Sequence, residues 1–239
     1  MKKTIQQQQL EKVCTEMIKG FNGDDKIPEN VDIDSFVTEY LGYSILYENI
    51  AVEEKLGFTS DGVTPLEVIR DSIKNRVIFP EKTIVIDKFY QDKKYDEKRR
   101  FILAHEVGHI IQNIVEGTAV VGFYSDLSSG CVGSSFLDMK ESMSIVETKA
   151  NKYAAAILMP DYVILDLVNK YHDGKKFTVY FDVLFTPKDM QCLEKIASIL
   201  KVSYSALFYR LKDLGAFVKG DNETYVRNTI MKGIEDGKQ

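Results

Sequence analysis

His105, Glu106 and His109 stand within five residues, in the order His-Glu-Val-Gly-His. Histidines four apart lie one turn apart on one face of an α-helix, so both imidazoles can reach one metal ion. The Glu between them sits beside that ion, placed to take a proton from a water that the metal activates. This is the H-E-x-x-H pattern of zinc hydrolases. The chain has only three His, so two of them in one pentapeptide is not a product of abundance. The surrounding Arg99–Ile114, RRFILAHEVGHIIQNI, predicts a helix with an apolar band of Phe101, Ile102, Ala104, Ile110, Ile111 and Ile114. Gly108 interrupts it at a cost of about 1 kcal/mol relative to Ala. Close approach of another backbone, or of a substrate, would give a reason to keep it. The plainer alternative is a surface helix with solvated His and Glu. Charged groups in so apolar a run need partners, which weighs against it.

A catalytic zinc takes three protein ligands and leaves one position open. With no further His nearby in sequence, a carboxylate is expected. Glu147 opens ETKANKYAAAILMP, a helix whose small residues Ala150, Ala154 and Ala155 would let it approach the motif helix closely. Asn151 lies one turn after Glu147, where it can hydrogen-bond a ligand imidazole and fix its orientation. Other readings stay open here. Ser144 and Glu147 have capping-box spacing. Glu141 is a rival carboxylate. His172 is a rival imidazole, although Asp173-Gly174-Lys175 beside it suggests an exposed turn.

The elements that must position these residues can be sketched. Residues 4–20 form a polar, Gln-rich helix that ends at Gly20-Phe-Asn-Gly. Asp32 or Asp34 caps a short helix to Leu41, closed by Gly42. Strands are expected at Tyr43–Tyr47, near Leu56–Thr59, at Val77–Phe79 and at Thr83–Ile86, with a short helix after Pro65. Residues 116–140 read as a long loop holding one strand at Ala119–Tyr124, a length typical of lids and binding loops. Helices follow over Ser142–Met159, stopped by Pro160, and from Asp161 to His172. Phe177–Phe185 reads as a strand or hairpin. Thr186-Pro187 opens a further helix, and Ser203 caps another that ends at Gly215. The tail after Lys219 is polar, with room for one short helix.

The chain has 239 residues and is 44 % hydrophobic, enough for one large domain with small appendages. No apolar run reaches bilayer-spanning length, and no apolar h-region follows MKKTIQQQQL. Cys14, Cys131 and Cys192 are odd in number and widely spaced, which fits neither a disulfide framework nor a Cys-based zinc site. These features predict a soluble, cytoplasmic protein with no membrane contact. A net charge of −5 argues against strong nonspecific nucleic-acid binding.

Taken together, RRFILAHEVGH and ETKANKYAAAILMP, in this order and spacing, resemble the ImmA/IrrE family of bacterial zinc metallopeptidases. So do the Leu41-Gly42-Tyr43 turn, the Thr83–Asp87 strand and the stretch from Ile196 to Leu211. The resemblance covers about residues 32–215. It implies that His105, His109 and Glu147 bind Zn2+, that Glu106 is catalytic, and that the substrate is a DNA-binding repressor, of helix-turn-helix type, cleaved to switch on mobile-element or stress-response genes. Residues 117–140 look inserted and 173–186 extended relative to that family. Tyr153 stands where Phe is more usual and reads as core.

Glu194–Leu214 has the spacing of a helix-turn-helix, with Ala197, Val202, Leu207 and Leu211 inward and Tyr204, Ser205, Tyr209 and Arg210 outward. Lys201 occupies the turn position usually held by Gly. One outward Arg is thin for phosphate contact, so direct DNA binding is not expected. The expected fold is a mainly helical α+β, zincin-like metallopeptidase domain with a small N-terminal sheet and a C-terminal helix-turn-helix-like pair. Its expected divisions are an N-terminal helical extension (1–30), the metallopeptidase domain (31–185), the helix-turn-helix-like element (186–215) and the tail (216–239). The expected function is that of a zinc-dependent endopeptidase. Two alternatives remain: a zinc-containing regulator binding DNA or a partner through residues 194–214, and a less specific cytoplasmic peptidase.

Overall fold

A computed structural model describes residues 5–23, 28–52, 55–116 and 136–227, without the side chains of residues 116 and 136–144. The predicted strand at Ala119–Tyr124, Cys131 and the Glu141 side chain lie outside the described residues.

The described residues are mainly helical, with three small sheets among them. Helix α1 (Ile5–Asn22) leads to a single turn, α2 (Ile33–Ser35), capped by Asp32 and continued by a wider turn over Phe36–Tyr40. Gly42 then turns the chain with φ +71°, the left-handed conformation that favours glycine. Strands β1 (Ser44–Glu48), β2 (Gly57–Ser60), β3 (Leu66–Arg70), β4 (Ile73–Val77) and β5 (Thr83–Asp87) follow. The central strand is β5, parallel to β1 and antiparallel to the edge strand β2. Its sequence TIVID is apolar almost throughout because both faces are covered. Ile84 and Ile86 join the helical core, while Val85 meets Phe58, Leu66, Val68 and Phe79 beneath the β3–β4 hairpin.

Two expectations fail in this region. The segment after Pro65 is a strand, not a helix, and the strand expected at Val77–Phe79 lies earlier, at Ile73–Val77. The cause is the turn at Asp71-Ser72, where both residues take positive φ. That geometry matches the twist of a two-residue hairpin and pairs Leu66–Arg70 with Ile73–Val77.

Helix α3 (Asp96–Glu116) carries the His-Glu-Val-Gly-His motif and begins with Asp96 and Glu97, favourable charges at a helix N-terminus. Arg99 anchors this end. It makes two hydrogen bonds to Asp34 at 2.6 and 2.8 Å and reaches Asp96 at 2.8 Å. Ile102, Leu103, Ala104, Val107, Ile110 and Ile111 are buried, whereas Ile114, expected in the apolar band, is 65 % exposed.

Helix α4 runs Phe136–Leu158 and starts earlier than the expected Ser142. Ser144 is therefore inside a helix, and the capping-box reading of Ser144 and Glu147 is removed. Pro160 breaks the chain before α5 (Asp161–His172). The Phe177–Phe185 stretch resolves into β6 (Phe177–Val179) and a tight turn closed by the Tyr180–Leu184 bridge. Thr186 caps α6 (Pro187–Leu200), and Ser203 caps α7 (Tyr204–Asp213). Lys201 takes the left-handed φ of 52° at the end of α6, doing there what Gly more often does. Beyond α7, β7 (Phe217–Lys219) pairs in parallel with β6, a pairing not expected from the sequence, and residues 222–227 are helical. Cys14 and Ile18 of α1 join one continuous core with α3, α4, α5, α6 and α7. No helix among the described residues is long and apolar enough to cross a membrane.

Candidate metal centre

The site is built where α3 crosses α4. His105 neighbours Asn151, Gly108 faces Ala150, and His109 neighbours Glu147. Residue numbers rise along one helix as they fall along the other, so the two run antiparallel. Gly108 makes the approach possible. A Cβ there would overlap the Ala150 carbonyl oxygen and lie 3.0 Å from that carbonyl carbon. The interruption of an otherwise good helix is explained by the neighbouring backbone.

This crossing brings His105, His109 and Glu147 together, with one donor atom of each within 4.8 Å of the others. The Nε2 atoms of the two His are 3.1 Å apart, and the Glu147 carboxylate lies 3.0 Å from His105 Nε2 and 3.5 Å from His109 Nε2. Hydrogen bonds from His105 and His109 hold the Glu147 carboxyl well below the usual carboxylate range. It is anionic at neutral pH, the form that ligates metals. Burial pulls the pKa of His105 down, but Glu147 and Glu106 push it up more, so the net shift is upward. His105 Nδ1 lies 2.9 Å from Asn151 Oδ1. With Nδ1–H donating to Asn151, the proton that Nε2 shares with Glu147 is the one a metal would displace.

Two imidazole nitrogens and one carboxylate oxygen form the donor set of a catalytic zinc centre, so these residues fit that metal. Glu106 is 6 % exposed and stands beside the cluster. Thr59 Oγ1 of β2 donates a hydrogen bond to its Oε2 at 2.7 Å. Gly57 of the same strand leaves room for it: a Cβ there would come within 2.7 Å of Glu106 Oε1. Its carboxylate is thus fixed at one oxygen by a neutral donor.

Thr59, Gly57 and Lys55 do not stand out in the sequence. The Leu56–Thr59 strand is legible there, but which face meets the motif helix is not. Lys55 is partly buried, with Nζ 5.1 Å from the centre of the Phe58 ring. Burial lowers its pKa, opposed by the charges of Glu106 and Glu147.

His172 is not brought to the cluster, nor is it the exposed turn residue expected. Its ring stacks on Phe177 and lies 2.9 Å from both Asp189 Oδ1 and the Lys175 carbonyl, tying the end of α5 to α6. Arg210 also departs from expectation. It is buried rather than outward, with two hydrogen bonds to Glu11 at 2.6 and 2.8 Å and one to the Met159 carbonyl at 3.0 Å. The partner comes from α1, far away in sequence, so helical periodicity could not reveal it. Tyr204, read as outward, is partly buried, whereas Tyr209 is 64 % exposed. Tyr153 is core, as read.

A family model, Peptidase_M78, described as the IrrE N-terminal-like domain, matches residues 38–212. That is well over half of the chain, which belongs to this peptidase family. A comparison with curated proteins finds no match.

Proposed function

We propose that this member of the Peptidase_M78 family is a zinc-dependent endopeptidase, with His105, His109 and Glu147 as metal ligands and Glu106 as the general base. The observation that carries the reading is the convergence of those three donors beside a buried, oriented carboxylate. Zinc, when bound, supplies Lewis acidity: it polarises a peptide carbonyl and lowers the pKa of water towards about 7. The chain supplies the rest. Glu106 accepts the proton of the attacking water and returns it to the leaving amine. Thr59 holds one carboxylate oxygen, and Gly57 leaves room for the other. Asn151 fixes the His105 ring, and Gly108 sets the helix spacing on which all of the distances depend.

For the substrate we propose a DNA-binding repressor of helix-turn-helix type in the cytoplasm, cleaved to release genes of a mobile element or stress response. Support comes from family membership and from the buried Arg210, which removes the main cationic candidate for DNA contact from α7. The test is co-expression with a repressor encoded beside this gene. The wild type should yield a repressor fragment. Glu106→Gln should keep fold and zinc but slow cleavage by at least roughly 10²–10⁴-fold. A fragment formed at the wild-type rate by Glu106→Gln would end the proposed mechanism. Equal cleavage of unstructured casein and repressor would favour the less specific peptidase.

A further inference from the structure

Helix α1 lies outside residues 38–212, the stretch that the family model matches, yet it is tied to both helices that carry the metal centre. Glu11, Cys14, Ile18 and Phe21 recur at helical spacing and make its inward stripe. Glu11, Cys14 and Ile18 are buried, and Phe21 packs on the same core. One end of the stripe backs α4. The Cys14 thiol donates to the Tyr153 carbonyl at 4.0 Å. Glu11 holds Arg210, which also donates to the Met159 carbonyl, one residue past the end of α4. Tyr153 lies roughly a third of a turn round the helix from Glu147. Thus α4 has α3 against one side and α1 against another.

The other end of the stripe leads to α3. Phe21 meets Phe36 and Tyr40 edge-on, with ring centres 5.4 and 6.1 Å apart. Gly20 admits Tyr40, since a Cβ there would come within 2.6 Å of its hydroxyl oxygen. The turn just before Phe36 is bound to α3 by Asp34, which accepts from Arg99, and by the Val31 carbonyl, which accepts from Arg100 at 3.0 Å. The two ligand-bearing helices therefore meet directly, where Gly108 faces Ala150, and again around the outside, through α1 and α2.

We infer that α1 is a strap that holds α4 against α3, and that Ile18 and Phe21 are positioning residues for the metal centre. The inference rests on the metal ligands assigned above. The contact of Gly108 with Ala150 limits how near the helices come. What draws them together is burial of apolar surface, and the α1 stripe adds to that surface behind α4. Glu147 keeps its place beside His105 and His109 only while α4 does not recede. A metal centre tolerates errors of only about 0.2 Å in ligand distance, so a small retreat of α4 weakens it.

The experiment measures zinc affinity of the full-length protein by chelator competition, at a temperature where every variant is folded. Ile18→Ala and Phe21→Ala should each weaken zinc binding by roughly 10–100-fold, the range for residues that act through a ligand rather than on the metal. Ile18→Val, which keeps most of the side chain, should recover most of the loss. Leu66→Ala is the control. Leu66 is as fully buried as Ile18 but belongs to the separate cluster beneath the β3–β4 hairpin. It should lower the melting temperature and leave zinc affinity unchanged. Coupling is reciprocal, so zinc added to the unsubstituted protein should slow amide exchange in α1 more than in β3–β4. Should Ile18→Ala fail to fold, Phe21→Ala, at a partly buried position, carries the comparison. Parent-like zinc affinity in the folded α1 variants, or equal weakening by Leu66→Ala, overturns the strap. So does equal slowing of exchange in α1 and β3–β4. An unsubstituted protein that binds no zinc overturns the metal-centre reading itself, a distinct result.

Discussion

At the scale of single residues, ligands and supporting groups should separate by how much metal affinity they control. The His105/His109/Glu147 cluster predicts about one zinc per chain. Metal analysis under chelator competition should find none in His105→Ala, and full occupancy there would move the metal elsewhere. Glu147→Gln should weaken zinc binding by far more than the roughly 10–100-fold expected for Asn151→Ala, which loses only the bond that orients His105. His172→Ala should leave zinc binding intact, because its partners are Asp189 and Lys175. Equal losses in Glu147→Gln and Asn151→Ala would mean that the ligand assignment is unsafe. Much of this cluster is legible in sequence, because α-helical spacing alone puts His105, Glu106 and His109 on neighbouring positions. Asn151 is legible for the same reason, one turn from Glu147. Gly57 and Thr59 are not, since a strand lying across a helix leaves no periodic mark that ties their positions to Glu106.

At the scale of elements, the site depends on how closely α3 and α4 approach. Gly108→Ala adds one methyl group, favourable for an isolated helix, yet here it overlaps the Ala150 carbonyl. Relief requires the helices to separate, which overpacking data place at about 1–3 kcal/mol. The same movement pulls Glu147 away from His105 and His109. The expected result is a lower melting temperature together with weaker zinc binding. A more stable Gly108→Ala protein with normal zinc affinity would show that the spacing is not set here. Strong local signals made several elements predictable: Pro160 before α5, Thr186-Pro187 at α6 and Ser203 at α7. The β3–β4 hairpin was missed because Asp71-Ser72 forms its turn without the glycine that usually announces one. The β6–β7 pair was missed because its strands of three residues are joined by a connection that includes both α6 and α7.

At the scale of the whole molecule, α1 and α7 are tied by a charge pair that neither helix reveals alone. Glu11→Ala would leave Arg210 buried with only the Met159 carbonyl as partner, a loss of about 3–5 kcal/mol. Chemical denaturation should show that loss, and a change within error would mean that water replaces the carboxylate. The same region makes the fold sensitive to alkali. Burial, then the charge of Glu11, raises the Cys14 thiol above its ordinary 9.0. Burial, then Asp161, raises the Tyr162 hydroxyl above its ordinary 10.0. Both groups are neutral in the fold, and the unfolded chain gives up these protons first. Stability from this source is therefore fully present below about pH 9 and falls as pH rises beyond it, by at most about 1.4 kcal/mol per pH unit for each group. Thermal unfolding followed from about pH 8 to about pH 11 should show the decline. Cys14→Ala should lower stability at neutral pH, because it empties core volume, yet make the alkaline decline shallower. Tyr162→Phe should also make it shallower, and should cost little at neutral pH because its buried hydroxyl has no hydrogen-bond partner among the described residues. A decline equally steep in both variants would locate the alkaline sensitivity outside the α1–α5 region.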